Sequence, residues 1–207
     1  MKKTLLALAG LMLIVPFTAQ AAAEKIVVSG VSGEPQMVRA GQTLPVKVGT
    51  ECQTGDILKT SPGCNVDVSL NNLAGCRVLP SSECMISNGV SSNMKIQIKN
   101  GNAILNLKKL PAGSSFQVET PTAVATVRGT QFWGRVMAQD PANPITTFAV
   151  RQGVVTVLAK GAGKTFSLKK GQALDIPANS SIAPSVRPAL DAELKAMEEA
   201  SSIKTSA

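Results

Sequence analysis

The chain contains no histidine and no tyrosine among its 207 residues. Without imidazole there is no Ser-His-Asp or Cys-His machinery and no histidine-ligated zinc, and without phenols there is no tyrosine acid or base. Aromatic residues are scarce, five Phe and one Trp, or 3% of the chain, which is too few for a base-stacking platform. Acidic residues are outnumbered, 13 against 21 basic, for a formal net charge of +8. Long apolar runs are also missing, except for one at the N-terminus.

That run reads as a secretory leader. Lys2 and Lys3 precede an apolar stretch from Leu5 to Phe17, and Ala19-Gln20-Ala21 supplies the small-x-small cleavage pattern. The stretch is shorter than the ~20 apolar residues that span a bilayer. The sequence therefore predicts a signal peptide over 1–21 and an exported, periplasmic or secreted mature chain with no membrane span. Excess positive charge on an exported body points to an anionic partner, either an envelope protein or an anionic envelope polymer, and away from nucleic acid. Oligomeric state and the partner's identity are not readable.

What is present is 44% hydrophobic residues with only 16% charged, enough to bury a core. Short apolar segments follow one another between Gly, Pro, Asn and Ser clusters. Asn65 to Leu70 and Met94 to Lys99 alternate with period two, the mark of a strand with one wet face. A local pattern recurs at Ile98-Lys99-Asn100-Gly101, Val150-Arg151-Gln152-Gly153 and Leu168-Lys169-Lys170-Gly171, each followed by another strand. Glycine there suits a positive-φ turn, here expected in hairpins. The reading is an all-β, twisted two-layer or roll-like domain over 24–184. Residues 185–207 are expected to form one short amphipathic helix opened by Pro188, followed by a disordered tail from Ser201. Leu190, Leu194 and Met197 line the apolar face of that helix, and Asp191, Glu193, Glu198 and Glu199 lie mostly opposite.

Cys52, Cys64, Cys76 and Cys84 make an even set in an exported chain, which favours two disulfides over a metal site. Three pairings are possible. The Pro80-Ser81-Ser82 turn favours Cys76–Cys84, which leaves Cys52–Cys64. The intervals lack any C-x2-C, so no metal and no cofactor is expected. No catalytic set emerges either. Ser167 with Lys169 or Lys170 reads as ordinary strand, and Gly161-Ala162-Gly163-Lys164 lacks the spacing of a phosphate loop and reads as a hairpin turn.

The most specific stretch runs from Phe116 to Phe132 and contains Thr120-Pro121 and Arg128-Gly129-Thr130. Pro121 marks a strand end or edge, and Val124, Val127 and Phe132 are candidates for the core. The stretch resembles the FecR-like domain family, whose signature leads from Thr-Pro through an Ala-Val run to Arg-Gly-Thr and an aromatic. Thr54 to Thr60, Val150 to Val157 and Leu168 to Ile176 resemble further landmarks of the family. The resemblance implies an all-β extracytoplasmic module, best known as the periplasmic sensor of iron-uptake signalling proteins. This chain has a leader where those regulators carry a sigma-binding region, and it lacks their internal span. Thr120, Pro121, Arg128, Gly129 and Thr130 are the family-motif positions, read as structural. Arg128 is expected to clamp backbone carbonyls or a carboxylate such as Asp56, the alternative being an anionic ligand. The functional reading is a non-catalytic binding module, with a self-assembling envelope component as the alternative.

Overall fold

The computed structural model describes residues 25–138, 142–179, 182–198 and 202–203. The leader read over 1–21 lies outside them, as do Glu199, Ser201 and the last four residues. The chain begins with β1 (Ile26–Ser32), β2 (Gln36–Arg39), β3 (Gln42–Pro45), β4 (Ile57–Lys59) and β5 (Asn65–Leu70). Next come β6 (Ala74–Val78), β7 (Glu83–Asn88), the long β8 (Asn93–Leu107), β9 (Ser115–Glu119) and β10 (Ala123–Val127). The series closes with β11 (Gln131–Met137), β12 (Ile145–Gln152), β13 (Val154–Ala159), β14 (Lys164–Lys169), β15 (Gln172–Pro177) and β16 (Ser185–Pro188), then α1 (Asp191–Ala196).

These strands form two layers that share β8. Sheet A runs β1-β5-β6-β8-β11-β12-β15-β16, and sheet B runs β3-β2-β4-β7-β8-β9-β10-β13-β14. All neighbours are antiparallel except β8 and β9, which are parallel. The two segments read separately at Met94–Lys99 and Ala103–Leu107 are one strand bent at Asn100-Gly101. Met94, Ile96 and Ile98 fill the core from sheet B, and Ala103 and Leu105 fill it from sheet A. The inward parity changes across the bend. Gly101 sits there at φ +81°, and a Cβ would fall 2.6 Å from the Ser81 carbonyl oxygen. Only glycine fits.

The recurrent glycine pattern therefore marks sheet changes, not hairpins within a sheet. Gly129 carries the chain from β10 in sheet B to β11 in sheet A. Gly153 carries it from β12 in A to β13 in B, and Gly171 from β14 in B back to β15 in A. At Gly153, φ is +87°, and a Cβ would meet Thr130 Cγ2 at 2.7 Å and the Gly129 carbonyl oxygen at 2.9 Å. Successive corners are thus packed against each other. Between the sheets lies a continuous apolar core that includes Phe116, Phe132, Phe148, Leu105, Leu168 and Leu174. Val127 and Phe132 join it as expected; Val124 instead lies on the outer face of β10, only partly buried.

On the far side of the core corners, threonine hydroxyls tie the layers together. Pro121 ends β9 in a tight turn, closed by the Thr120 amide donating to the Ala123 carbonyl at 2.9 Å. Thr122 Oγ1 donates to Thr146 Oγ1 at 2.7 Å, and Thr146 Oγ1 donates to Thr120 Oγ1 at 2.9 Å. Thr120 and Thr122 sit at the β9–β10 turn of sheet B and Thr146 on β12 of sheet A, all buried. Thr146→Val removes one hydrogen bond from each of two buried hydroxyls, which keep the Ile176 and Ala123 carbonyls as acceptors, and should cost about 0.5–1.5 kcal/mol in denaturant unfolding. A variant as stable as the parent would remove this tie from the account.

The tail differs from the expectation. Ser185–Pro188 pairs with β15 as an edge strand, so Pro188 ends a strand and does not open the helix. The helix is six residues, one and a half turns instead of three. Leu190 is exposed, whereas Glu193 is buried along with Met197. Ile203, in the stretch expected to be disordered, is also buried. Met197 and Ile203 pack with Ile104, Trp133, Ala149 and Ala173 on the outer face of sheet A. Polar clamps hold them there. Arg187 donates to Asp175 and to Glu193, each at 2.6 Å, and Arg151 Nη1 donates to the Met197 carbonyl at 2.6 Å.

Those clamps make the cover acid-sensitive. Burial opposes ionisation of Asp175, but the Arg187 guanidinium and the Thr147 hydroxyl outweigh it, so its carboxyl lies below the ordinary 3.8. Glu193 is likewise opposed by burial and held below 4.5 by Arg187 and the Leu190 amide. A folded carboxyl with a depressed pKa stabilises above its ordinary value and loses that contribution as pH falls through the folded one. Trp133 is the only tryptophan, so its emission should shift to the red as pH drops below about 4. Emission unchanged down to full protonation would show that the tail is held by packing alone.

Candidate functional site

The tail packs on sheet A's outer face; no described residue packs as a tail over sheet B's. Register aligns Lys95, Gln117, Thr126, Thr156 and Ser167 in one row across that face. The next row holds Asn93, Ser115, Val154 and Lys169, with Arg128 one residue beyond Val127. Arg128 lines an open cleft of about 760 Å³ with Ser114, Ser115, Thr126 and Thr156.

Arg128 does not play the clamping part expected of it. Its side chain is exposed and has no hydrogen-bond or ion-pair partner among the described residues. Asp56 is taken by Arg39, whose Nε and Nη2 donate to it at 2.8 and 2.6 Å. The two acids on the strands of sheet B's outer face are also engaged. Glu83 lies 3.2 Å from Lys59 and 3.5 Å from Lys99. Glu119 lies 2.8 Å from Lys160 and 3.8 Å from Lys95. The Lys160 bond, outweighing burial, draws the Glu119 carboxyl below its ordinary value. By contrast Lys164, Lys169 and Lys170 are exposed with no ion pair among the described residues. Positive charge is therefore neutralised in the middle of the face and left free at its β10–β14 end.

The other motif positions are structural in this geometry. Thr120 belongs to the hydroxyl tie, Pro121 to its turn and Gly129 to a corner. Thr130 is buried beside Gly153, with its carbonyl accepting from the Leu107 amide. Ser167 and Lys169 point outward from an edge strand and are exposed. Gly161 to Lys164 is the β13–β14 hairpin connection. Among the described residues no group of three or more Cys, Asp or Glu is placed to hold a metal ion. Nor is any helix among them long and apolar enough to cross a membrane.

The cysteines also depart from expectation. All four are buried free thiols. The Cys52 amide donates to the Ile26 carbonyl, whereas Cys64 Sγ accepts from the Glu34 amide just past Gly33. These are opposite ends of β1, roughly 20 Å apart at ~3.3 Å per residue, and a disulfide needs Cα atoms within about 7 Å. Cys76 and Cys84 face the core from different sheets and pack there as small apolar side chains among Leu58, Val68 and Ile96. Burial pushes the Cys52 and Cys76 thiols up to about 12 and raises Cys84 as well. Only Cys64 is drawn below its ordinary value, first by the Ser61 hydroxyl. Alkylation of the native protein should be slow, because all four thiols are buried, and should reach Cys64 first, whereas denaturation without reductant should release four reactive thiols. A count of two or none would restore a disulfide.

Residues 56–156 match the family model described as FecR protein. That stretch is similar to the FecR family. A comparison with curated proteins finds no match. Two crystal structures of a candidate anti-sigma factor from Parabacteroides distasonis ATCC 8503, at 2.50 and 1.65 Å resolution, resemble this chain with a TM-score of 0.58 and 17% identity. The likeness covers 69% of this chain and 64% of that one, so this chain spans just under two thirds of its length. At such identity the likeness is one of fold. The FecR match begins at Asp56 and ends at Thr156, within the row that lies beside Arg128.

Proposed function

We propose that this chain is a non-catalytic, exported interaction module of the bacterial cell envelope, which engages an acidic partner through the cationic end of sheet B. The observation that carries the reading is the unpaired guanidinium of Arg128 in an open, hydroxyl-lined cleft, with free lysines on the same side of the sheet. An exposed cation held out of every internal pair contributes little to stability, and its field favours an anionic surface.

Similarity to the FecR family supports a regulatory role in the envelope. The structural neighbour bears a name for a protein that works by contact with another protein, which agrees with binding in place of turnover. The lack of histidine and tyrosine, and the lysine-held state of both acids on the face, argue the same way. An acidic protein is the preferred partner; an anionic polymer shares the charge requirement.

A photo-crosslinking residue at Thr126, in cells that export the protein, tests the reading. A discrete protein adduct is expected, and Arg128→Glu with Lys169→Glu should abolish it. Unfolding stability should stay within about 0.5 kcal/mol, because neither side chain has a partner to lose. A polysaccharide adduct would transfer the role to a polymer. No adduct, or one indifferent to charge reversal, would overturn the proposal.

A further inference from the structure

Each sheet has two edges, and an edge presents unpaired amides and carbonyls to any extended chain that can reach it. Three of the four are guarded. On β1 the Val28 amide donates to the Thr50 carbonyl and the Cys52 amide to the Ile26 carbonyl, so a neighbouring segment covers it. The strands β3 and β16 are four residues each and end in Pro45 and Pro188. The fourth edge, β14, is six residues with one-to-one register to β13, no bulge and no proline.

The hydrogen-bond parity of that edge can be read from its surroundings. The Lys160 amide donates to the Thr122 carbonyl, so the even-numbered residues of β13 bond toward β10 and the odd ones toward β14. Register pairs those odd residues with Lys164, Phe166 and Leu168. Thr165, Ser167 and Lys169 therefore direct their backbone groups away from the sheet. In agreement, the Lys169 amide is met only by the Gln172 side chain, at 2.8 Å.

The two layers are also unequal at this end. The corners at Gly153 and Gly171 fold β12 onto β13 and β15 onto β14, so β16 extends one strand beyond the end of sheet B. Val186 pairs with the fully buried Leu174 and shares its inward face, yet it is 43% exposed. Phe166, inward on β14, is only partly buried against the core. Both apolar side chains border the position that a further strand beside β14 would fill.

We infer that β14 accepts an extended, acidic segment of a partner protein as a tenth strand of sheet B. That strand's inward apolar residues would cover Phe166 and Val186, and its outward acidic residues would meet Lys169, which shares the outer face with Thr165 and Ser167. This rests on the acidic-partner reading above and gives it a mode of recognition. A second copy fits poorly. Antiparallel pairing of β14 with itself sets the lysines of one copy against those of the other, and like charges opposite one another destabilise a ladder.

An eight-residue peptide alternating glutamate and valine is the probe. On saturation, amide exchange at Thr165 and Ser167 in the unaltered protein should slow by about tenfold or more, the change expected when free edge amides gain partners. Ser167→Pro should weaken the peptide by about tenfold, corresponding to one lost hydrogen bond. That amide is outside the ladder, so the variant should fold, since proline is tolerated at such edge positions; Thr165→Pro serves as its replicate. If both proline variants bind like the parent and the amides stay unprotected, strand addition falls. The acidic-partner reading survives that result if Arg128→Glu with Lys169→Glu still weakens the peptide. A peptide that fails to bind, or amide protection that grows with protein concentration alone, would overturn the inferred occupant.

Discussion

The fold depends on the chain's ability to change layers within a single residue. At Gly101, Gly129, Gly153 and Gly171 the backbone takes φ between +75° and +87°, and each time it leaves one sheet and enters the other. Any other residue pays a steric penalty of roughly 1–2 kcal/mol in that region. At Gly101 and Gly153 a Cβ would also collide with the backbone of the adjoining corner. These corners set the rest of the geometry. They lay β12 on β13 and β15 on β14, they fix which faces turn inward, and they leave β16 without an opposite number. The apolar core stabilises the result, but it does not choose it. The same inward Val, Ile and Leu pattern would serve two sheets joined by ordinary hairpins.

From that geometry comes a division between the two outer faces. Sheet A pairs its acids, with Asp67 against Arg77 at 2.6 Å and Asp175, Arg187 and Glu193 in one cluster, and lays Arg135 over the Trp133 ring. It then buries Trp133 and Ile104 beneath Met197 and Ile203. Sheet B resolves its charge only midway, around Glu83 and Glu119, and leaves Arg128 and three lysines open at one end. Both faces belong to the same basic chain, so overall charge does not explain the contrast. Its origin is which strands hold the few acids. Glu83 and Glu119 fall on β7 and β9, and no acid falls on β10, β13 or β14.

Much of this was legible in the residues. Period-two alternation at Asn65 to Leu70 and Met94 to Lys99 marked strands because one side of each is wet. The stretch from Thr120 to Thr130 marked the family because it packs a turn, a hydroxyl tie and a corner into eleven positions. Strand β6 is buried without alternating, β7 carries Cys84, Met85 and Ile86 in succession, and β16 contains arginine and ends in proline, so local pattern did not show them. The tail misled for a related reason. Leu190, Leu194 and Met197 have helical spacing, but Arg187 draws Glu193 inward and turns Leu190 out. An ion pair between the edge strand and the helix that follows it outweighed amphipathic periodicity.

The Cys52–Cys64 pairing and the Arg128 clamp were not legible in the sequence for one shared reason, which is that pairing depends on register. Cys52 and Cys64 are 12 residues apart in the chain, yet β1 keeps them at its two ends. Asp56 is the nearest landmark acid to suggest for Arg128, yet Arg39 reaches it first from β2, and Gln53 adds an amide at 2.7 Å. A cation displaced from its expected partner has two physical options, to find another or to face solvent. Arg128 does the second, in the middle of the segment that most resembles the family. Conformational needs account for Gly129 and Thr130 beside it, but no hydrogen bond or ion pair among the described residues accounts for the guanidinium. Its place on the surface is therefore better explained by what meets the protein from outside than by anything within the fold.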